Sequence, residues 1–157
     1  MLDVQNFKAV VTNAPLVSID LCLVFQGKLL LGKRLNNPLQ GCWFTPGGRI
    51  YKNEGFRAAL YRIAQAELGL RDTDISAFSL MGVWDHFYNN SAFDEETSTH
   101  YVNLPHFARF DTRPIITADF QHDRFEWFDL NEVADGGVFH KYIQNYANWL
   151  IAKGTLK

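Results

Sequence analysis

Five residues between positions 48 and 69 have the types and spacing that suit metal-assisted chemistry on a phosphate. Glu54 follows Gly48 after five residues, Arg62 follows Glu54 after seven, and Glu67 and Gly69 close the segment. Carboxylate oxygens are the ligands that a hard cation prefers, and the planar guanidinium of arginine suits carboxylates and phosphates. Residues of these types could therefore hold a cation or pair with one another.

Helix geometry gives Glu67 a special position. The chain from Phe56 to Leu68 is predicted to form a helix, on which Phe56, Leu60 and Ile63 share one stripe at about 100° per residue. Glu67 falls on the same stripe, where a carboxylate is costly unless it is paired or binds a metal. The alternative is a glutamate that reaches solvent at the helix end.

The glycines before this helix allow two interpretations. Gly47 and Gly48 follow Pro46, so they form either a simple tight turn or a place where the backbone approaches a ligand closely. Arg62 is either an exposed helix residue or a partner of the Glu54 carboxylate that braces the loop against the helix.

This spacing resembles the Nudix box, whose pattern is G-x5-E-x7-R-E-U-x-E-E-x-G-U with U aliphatic. The chain departs from it at Ile63, Ala64 and Ala66, so two of the usual glutamates are missing. Typical members gather several carboxylates on one helix around two or more magnesium ions. The resemblance therefore implies one Mg²⁺ per subunit, with Mn²⁺ able to substitute. The matching positions are Gly48, Glu54, Arg62, Glu67, Gly69 and Leu70.

Further strings narrow the resemblance to one branch of that family. The chain contains LVSID, LLLGKR, N-x-P-x-Q-G-x-W-F-x-P-G-G-R, GVW-x-HFY, THYV and QHD in order. Together they resemble the GDP-mannose mannosyl hydrolases over residues 4 to 130, roughly, and that branch also lacks the two glutamates. Its members are homodimers in which water displaces GDP from C1 of mannose or glucose with inversion.

The resemblance also assigns roles to individual residues. The metal ligands would be the Gly47 carbonyl, Glu67 and Gln121. The general base would be His122, because neutral imidazole is available near pH 7. Arg34 and Arg49 would stabilise the departing GDP, since arginine suits phosphate oxygens. The remaining residues implied to bind or position the substrate are Asp20, His86, Tyr101 and Phe7.

Each assignment has a plainer alternative. His122 in a polar QHD segment is otherwise a solvated surface residue, and Arg34 and Arg49 are otherwise exposed charges. Asp20 lies in an apolar run, where it either faces outward or needs a partner.

The aromatic positions and one further cation are also open. His86 and Tyr101 are otherwise aromatics of the core or of a strand surface. Phe7 either stacks on guanine or packs in the core. Lys33 is the least supported cation near the site.

Two rival functions remain at this stage. An ordinary Nudix pyrophosphatase would release GMP and a sugar phosphate, but Ile63 and Ala66 remove carboxylates that such multi-metal chemistry uses. A non-catalytic nucleotide-binding module is the other rival. The presence of Glu67, Gln121, His122 and both arginines argues against it.

The predicted elements form one α/β (α+β) domain over residues 1–157, with a mixed β-sheet sandwiched between helices. A β-hairpin is predicted around Gln26-Gly27, and Gly69 is predicted to cap the central helix. Residues 89–98 are predicted to form a loop. The other predicted elements are helices at 3–13 and 138–152 and strands at 42–44, 78–88, 99–110 and 125–128.

Composition excludes several classes of protein. The net charge is −2 with no long basic run, which argues against general nucleic-acid binding. No stretch reaches about 18 continuous apolar residues, so no membrane span is expected. Cys22 and Cys42 lack metal-type or disulfide spacing, and Cys22 is expected to be a buried small hydrophobe. A cytoplasmic location is the resulting expectation.

Overall fold

The computed structural model describes residues 2–117 and 122–155, apart from the side chains of residues 122 and 123. Its helices are α1 (Val4–Asn13), α2 (Phe56–Leu68), α3 (Asp72–Ile75), α4 (Leu130–Ala134) and α5 (Lys141–Ala152). Its strands are β1 (Leu16–Phe25), β2 (Lys28–Arg34), β3 (Trp43–Phe44), β4 (Gly47–Arg49), β5 (Ser79–Leu80), β6 (Trp84–Tyr88), β7 (Thr99–Asn103), β8 (His106–Phe110) and β9 (His122–Asp129).

Strand β1 is the centre of the mixed sheet and changes its neighbours halfway along. Its first half pairs antiparallel with β4 and parallel with β7, and β6 extends the sheet beyond β7. Its second half pairs antiparallel with β2 and parallel with β8. Asp20 is the last residue opposite β4, and Leu21 is the first opposite β8. Asp20 therefore lies where the flanking strands diverge.

Helices cover both faces of this sheet, as the sequence predicts. One core packs α2 and α3 against the sheet through residues such as Ile19 and Ile63. The other packs α4 and α5 against the opposite face through Leu31, Ile143 and Tyr146. Cys22 is fully buried there, as expected for a small hydrophobe. The alternation along β1 places odd positions against α2 and even positions against α5.

Two predicted turns have the backbone conformation that their residues favour. Gln26 and Gly27 both have positive φ, 48° and 72°, as a two-residue hairpin turn of the mirror-image type requires. Gly69 ends α2 in the left-handed conformation with φ 62°, and its N–H donates to the Gln65 carbonyl. A Cβ at Gly69 would also meet the Thr117 side chain.

Some sequence predictions are wrong in detail. The predicted strand 78–88 is two short strands, and Leu104-Pro105 interrupts the predicted strand 99–110. Proline cannot donate to a strand ladder, which explains the second break. The last helix begins at Lys141, capped by His140, rather than at Val138. Phe56 belongs to the first turn of α2 and is 46% exposed, so it does not extend the buried stripe.

Among the described residues, no helix is both long enough and apolar enough to cross a membrane.

Candidate active site

A cavity of about 550 Å³ opens beside the divergence point of β1. Its walls come from α1, β1, β4, α2, the loop after β2 and residues 91–93 of the loop between β6 and β7. Eight residues predicted from the sequence line this one cavity: Phe7, Asp20, Arg34, Gly47, Arg49, Glu67, His86 and Tyr101. The fold thus collects side chains that lie up to 94 positions apart in the chain.

Gly47 and Glu67 form the wall predicted to hold the metal. The N–H of Leu21 donates to the Pro46 carbonyl and that of Ile50 to the Val17 carbonyl, each at 2.8 Å. Alternation along the ladder then directs the Gly47 carbonyl away from β1. Glu67 is 9% exposed at the same cavity. It therefore does not project freely into solvent.

This oxygen donor set fits a hard divalent cation. Among the side chains of residues 2–117 and 124–155, no three His, Cys, Asp or Glu groups are arranged to hold a metal. The predicted set is of a different kind, because it combines one carboxylate with a backbone carbonyl and the amide of Gln121. Gln121 itself lies outside the described residues. A site with one carboxylate suits a single cation better than a cluster.

Gly47 has no room for a side chain. A Cβ built there would lie 2.5 Å from both the Asp20 Oδ1 atom and the Ile19 carbonyl oxygen. We expect Gly47→Ala to lower the free energy of unfolding by about 1–3 kcal/mol, as overpacking does, and to reduce turnover by displacing β4. Urea unfolding and steady-state kinetics measure the two effects. Gly55→Ala is the matched control, because a Cβ there meets nothing within 4 Å. Equal behaviour of the two variants would contradict this prediction.

Arg62 and Glu54 brace the loop before α2, as the resemblance implies. Arg62 donates from Nε to Glu54 Oε1 at 2.6 Å and from Nη2 to Glu54 Oε2 and the Arg49 carbonyl, both at 2.9 Å. Glu54 also accepts from the Tyr51 N–H. The hydrogen bonds from Arg62 hold the pKa of Glu54 at about 2, well below its usual value.

This pairing predicts a pH-dependent contribution to stability. Because the pKa of Glu54 is depressed on folding, the contribution is present above about pH 4.5 and is lost as pH falls toward about 2. We expect Arg62→Met to destabilise the protein by about 1–2 kcal/mol at pH 7 and much less near pH 2.5. Urea unfolding at both pH values is the measurement, with exposed Arg57→Met as control. A pH-independent difference would exclude the ion pair as its cause.

The two arginines are held by different parts of the cavity wall. Arg34 donates from Nε to the Pro38 carbonyl at 2.9 Å, which fixes it against the loop after β2. Arg49 places its guanidinium carbon 3.9 Å from the centroid of the Phe7 ring. Phe93 contacts the same ring edge-on, at 5.1 Å between centroids. One face of Phe7 is therefore covered by Arg49, which limits where a base can stack.

Residues 91–97 are fastened to α1 and to the loop after β2. Lys8 binds the Asp94 carboxylate at 2.8 Å, and Asn37 donates to Glu95 at 2.9 Å. Asp94 also accepts from the Thr97 N–H at 2.6 Å. The predicted loop 89–98 is thus a fixed wall of the cavity, a role that its polar sequence does not indicate.

Asp20 lies at the floor of the cavity and does not face outward. It is 7% exposed, and its Oδ2 atom accepts from Tyr146 Oη and from Asn103 Nδ2, each at 2.6 Å. Burial raises the pKa of Asp20, while those two hydrogen bonds and the charge of Arg34 oppose the rise.

His86 and Tyr101 are neighbours on the paired strands β6 and β7. His86 is 2% exposed and stacks on Tyr142, with 4.0 Å between ring centroids. Burial, with a smaller effect of His140, lowers the pKa of His86 to about 4. His86 is therefore neutral near pH 7, so it acts as a hydrogen-bonding group and not as a cation. Burial also raises the pKa of Tyr101.

The predicted base is placed only through its backbone. His122 begins β9 and is the register partner of Arg34 on β2. This pairing brings the backbone of residue 122 beside a strand that lines the cavity. Its side chain lies outside the described part of the chain.

Sequence reasoning missed two residues at the floor of the cavity. Asn103 and Tyr146 both bind Asp20, although 83 and 126 positions separate them from it. The sequence contains a weak signal for Tyr146, because Tyr142, Tyr146 and Leu150 share one stripe of the last helix. Such a stripe is typical of residues that pack in a core. Asn103 stands two residues after Tyr101 on a strand, and this period of two places both side chains on one face.

A family model and two named proteins are similar to this chain over most of its length. The family model described as NUDIX domain matches residues 15–149. A protein of Haloferax volcanii named low-salt glycan biosynthesis protein Agl8 is 37% identical over 146 residues, which cover 93% of this chain and 88% of that protein. The ADP-ribose pyrophosphatase of Methanocaldococcus jannaschii is 29% identical over 136 residues, 86% of this chain and 75% of that protein.

A solved structure agrees with these relatives. The crystal structure of a MutT NUDIX hydrolase from Burkholderia pseudomallei superposes with a TM-score of 0.67 at 25% identity. The match covers 88% of this chain and 99% of that one. The strand order and the helix layers described above are thus shared with a protein of that fold.

Proposed function

This chain belongs to the NUDIX family, and from that premise we propose that it hydrolyses GDP-mannose or GDP-glucose at C1 of the hexose. The products are GDP and the free sugar with inverted configuration. The observation that carries the proposal is the composition of α2 beside the cavity. Its 13 residues contain a single acidic side chain, Glu67, where pyrophosphate cleavage with several metals uses more.

The cavity supplies charge for the leaving group. Arg34 and Arg49 both line it, and both guanidinium groups can bind phosphate oxygens. Fixed positive charge aimed at a departing diphosphate lowers the barrier without reorganisation. This arrangement supports a reaction in which GDP leaves as an anion.

The reaction balances with one base and one water. The water oxygen forms a bond to C1 while the C1–O bond to the β-phosphate breaks, and its electron pair leaves with GDP. His122 accepts the proton from the attacking water. NUDIX hydrolases use a divalent metal such as Mg²⁺ or Mn²⁺. Here the Gly47 carbonyl, Glu67 and Gln121 would hold it, and the ion would supply positive charge that neutralises the diphosphate.

The relatives bear on the substrate only in general terms. The 37% identical protein is named for glycan biosynthesis, which suits a nucleotide sugar. The 29% identical protein is named for cleaving ADP-ribose, also a nucleoside diphosphate joined to a sugar. The second name favours attack at phosphorus and makes an ordinary pyrophosphatase the rival function. The homodimer implied by the sequence resemblance remains a prediction.

Oxygen-18 water separates the two reactions. The protein is incubated with Mg²⁺ and GDP-mannose, and in parallel with GDP-glucose, and the products are analysed by mass spectrometry. We expect the label in the free hexose and unlabelled GDP. GMP with a hexose 1-phosphate, one of them labelled, would replace the proposal with attack at phosphorus. Absence of turnover with both sugars, under conditions where GDP binds, would favour a binding module.

A further inference from the structure

Four buried polar side chains form a connected cluster at the floor of the cavity. Tyr146 Oη and Asn103 Nδ2 both donate to Asp20 Oδ2 at 2.6 Å. Asn103 Nδ2 also lies 3.1 Å from His86 Nδ1, and Tyr146 Oη lies 3.4 Å from His86 Nε2. Asp20 and His86 line the cavity, whereas Tyr146 stands behind them on α5.

Counting protons gives an arrangement in which each donor of the cluster has an acceptor, while the Asn103 Oδ1 atom is buried without a hydrogen-bond partner. The Asn103 amide nitrogen must face the Asp20 carboxylate, because an amide oxygen there would meet another acceptor. Its second hydrogen has two acceptors within reach, His86 Nδ1 and Tyr146 Oη, each 3.1 Å away. Donation to Nδ1 makes that atom an acceptor and places the imidazole proton on Nε2. Tyr146 donates its hydroxyl hydrogen to Asp20, so its oxygen can accept a hydrogen bond from His86 Nε2–H. Every donor of the cluster then has an acceptor.

We propose that Tyr146 is a positioning residue, whose hydroxyl fixes the rotamer of Asp20 and the Nε2–H tautomer of neutral His86 for contact with the substrate. The role of these two residues rests on the proposed function. The arrangement leaves Asp20 Oδ1 as the oxygen beside Gly47, where a Cβ would approach within 2.5 Å. The carboxylate is therefore clamped between α5 and β4.

Packing alone does not require the Tyr146 hydroxyl. The ring is fully buried and stacks on Trp84, with 4.9 Å between centroids and 27° between planes. Phenylalanine would make the same ring contacts. A buried hydroxyl is costly unless it is hydrogen-bonded, so its presence here is explained by the groups that it orders.

A double-mutant cycle tests the dependence on Asp20. Kinetics with GDP-mannose are measured for wild type, Tyr146→Phe, Asp20→Asn and the double variant. We expect Tyr146→Phe to lower kcat by about tenfold to 100-fold with KM changed less than threefold, as small misplacements of reacting groups do. In the Asp20→Asn background the same change should cost less than about twofold. Equal losses in both backgrounds, or none in either, would overturn the proposal.

Tyr142→Phe is the matched control. It removes another buried hydroxyl of α5, one that bonds the Phe87 backbone N–H at 2.8 Å and not Asp20. Thermal unfolding of both variants compares their losses of stability. We expect Tyr142→Phe to lose similar stability while keeping kcat within about twofold, because the ring still stacks on His86 and the lost hydroxyl bonds the Phe87 backbone rather than Asp20 or a His86 ring nitrogen. A kcat loss that follows the stability loss in both variants would assign Tyr146 a structural role only.

A spectroscopic measurement that needs no substrate tests this inference independently of the proposed function. Long-range ¹H–¹⁵N spectra of the histidine side chains, with His86 assigned by His86→Gln, report the tautomer near pH 7. We expect the Nε2–H form in wild type and in Tyr142→Phe, and a shifted or mixed signal in Tyr146→Phe. An identical His86 signal in Tyr146→Phe would overturn the proposal even if GDP-mannose proves to be the substrate. If Tyr146→Phe shows the expected shift of the His86 signal but the protein does not hydrolyse GDP-hexoses, the positioning role of Tyr146 is supported and the proposed function is rejected.

Discussion

Replacing His122 by glutamine is expected to lower kcat for GDP-mannose by about 100-fold to 10,000-fold, the range that general-base catalysis contributes. Glutamine keeps a polar side chain of similar size but cannot accept and release a proton near pH 7. The affinities for Mg²⁺ and GDP should stay within a few-fold, because the arginines and the metal ligands are unchanged. Stopped assays of GDP release and GDP titrations provide the two measurements.

The pH profile sharpens this test. The wild-type kcat/KM should fall at acidic pH as the base becomes protonated. The residual activity of His122→Gln should lack this limb. His100→Gln serves as the control, because His100 pairs with Asp85 at 2.9 Å and does not line the cavity. Near-normal turnover of His122→Gln would remove His122 from the mechanism.

Replacing Glu67 by glutamine is expected to raise the Mg²⁺ concentration for half-maximal activity at least about tenfold, a loss known even for indirect metal partners. A neutral amide of the same shape gives the cation less charge than a carboxylate. The maximal rate should fall as well, because the metal that neutralises the diphosphate is held less firmly. Activity as a function of Mg²⁺ measures the shift, and thermal unfolding checks that the fold persists.

Glu132→Gln is the control for the change of charge. Glu132 lies exposed on α4, so this variant should titrate with Mg²⁺ like the wild type. A direct reading of the metal is available by titrating Mn²⁺ and following its electron paramagnetic resonance without substrate. If Glu67→Gln bound Mn²⁺ and used Mg²⁺ unchanged, Glu67 would be rejected as a ligand.

The sequence predicted best those elements that local residues determine. Helix α2 has the predicted bounds because Gly69 ends it, and the β1–β2 hairpin follows from Gln26-Gly27. Strand β4 was missed because Gly47 and Gly48 favour a turn, and only pairing with β1 makes them a strand. Phe56 continued the stripe of α2 in sequence, but the first helical turn projects beyond the sheet and leaves it exposed.

In the candidate site, too, the sequence predicted relations between residues that lie close together in the chain better than contacts between distant ones. Glu67 was predicted from helical phase together with the resemblance to the Nudix box, and that resemblance implied the pairing of Arg62 with Glu54. Both relations act within one short segment. Burial of Asp20 was left open because its partners Asn103 and Tyr146 come from distant strands and helices. Such contacts depend on tertiary packing, which periodicity does not report.

The two sides of the cavity differ in how their segments are held together, and this difference matters for protein engineering. Gly47, Glu54, Arg62 and Glu67 belong to one continuous segment that closes on itself through the Glu54–Arg62 pair. The opposite wall is made of α1 and residues 91–97, which are joined through Lys8 and Asp94. Grafting that wall as a unit, with both ends of the ion pair retained, would change the lining around Phe7 while the segment from Gly47 to Glu67 stays intact.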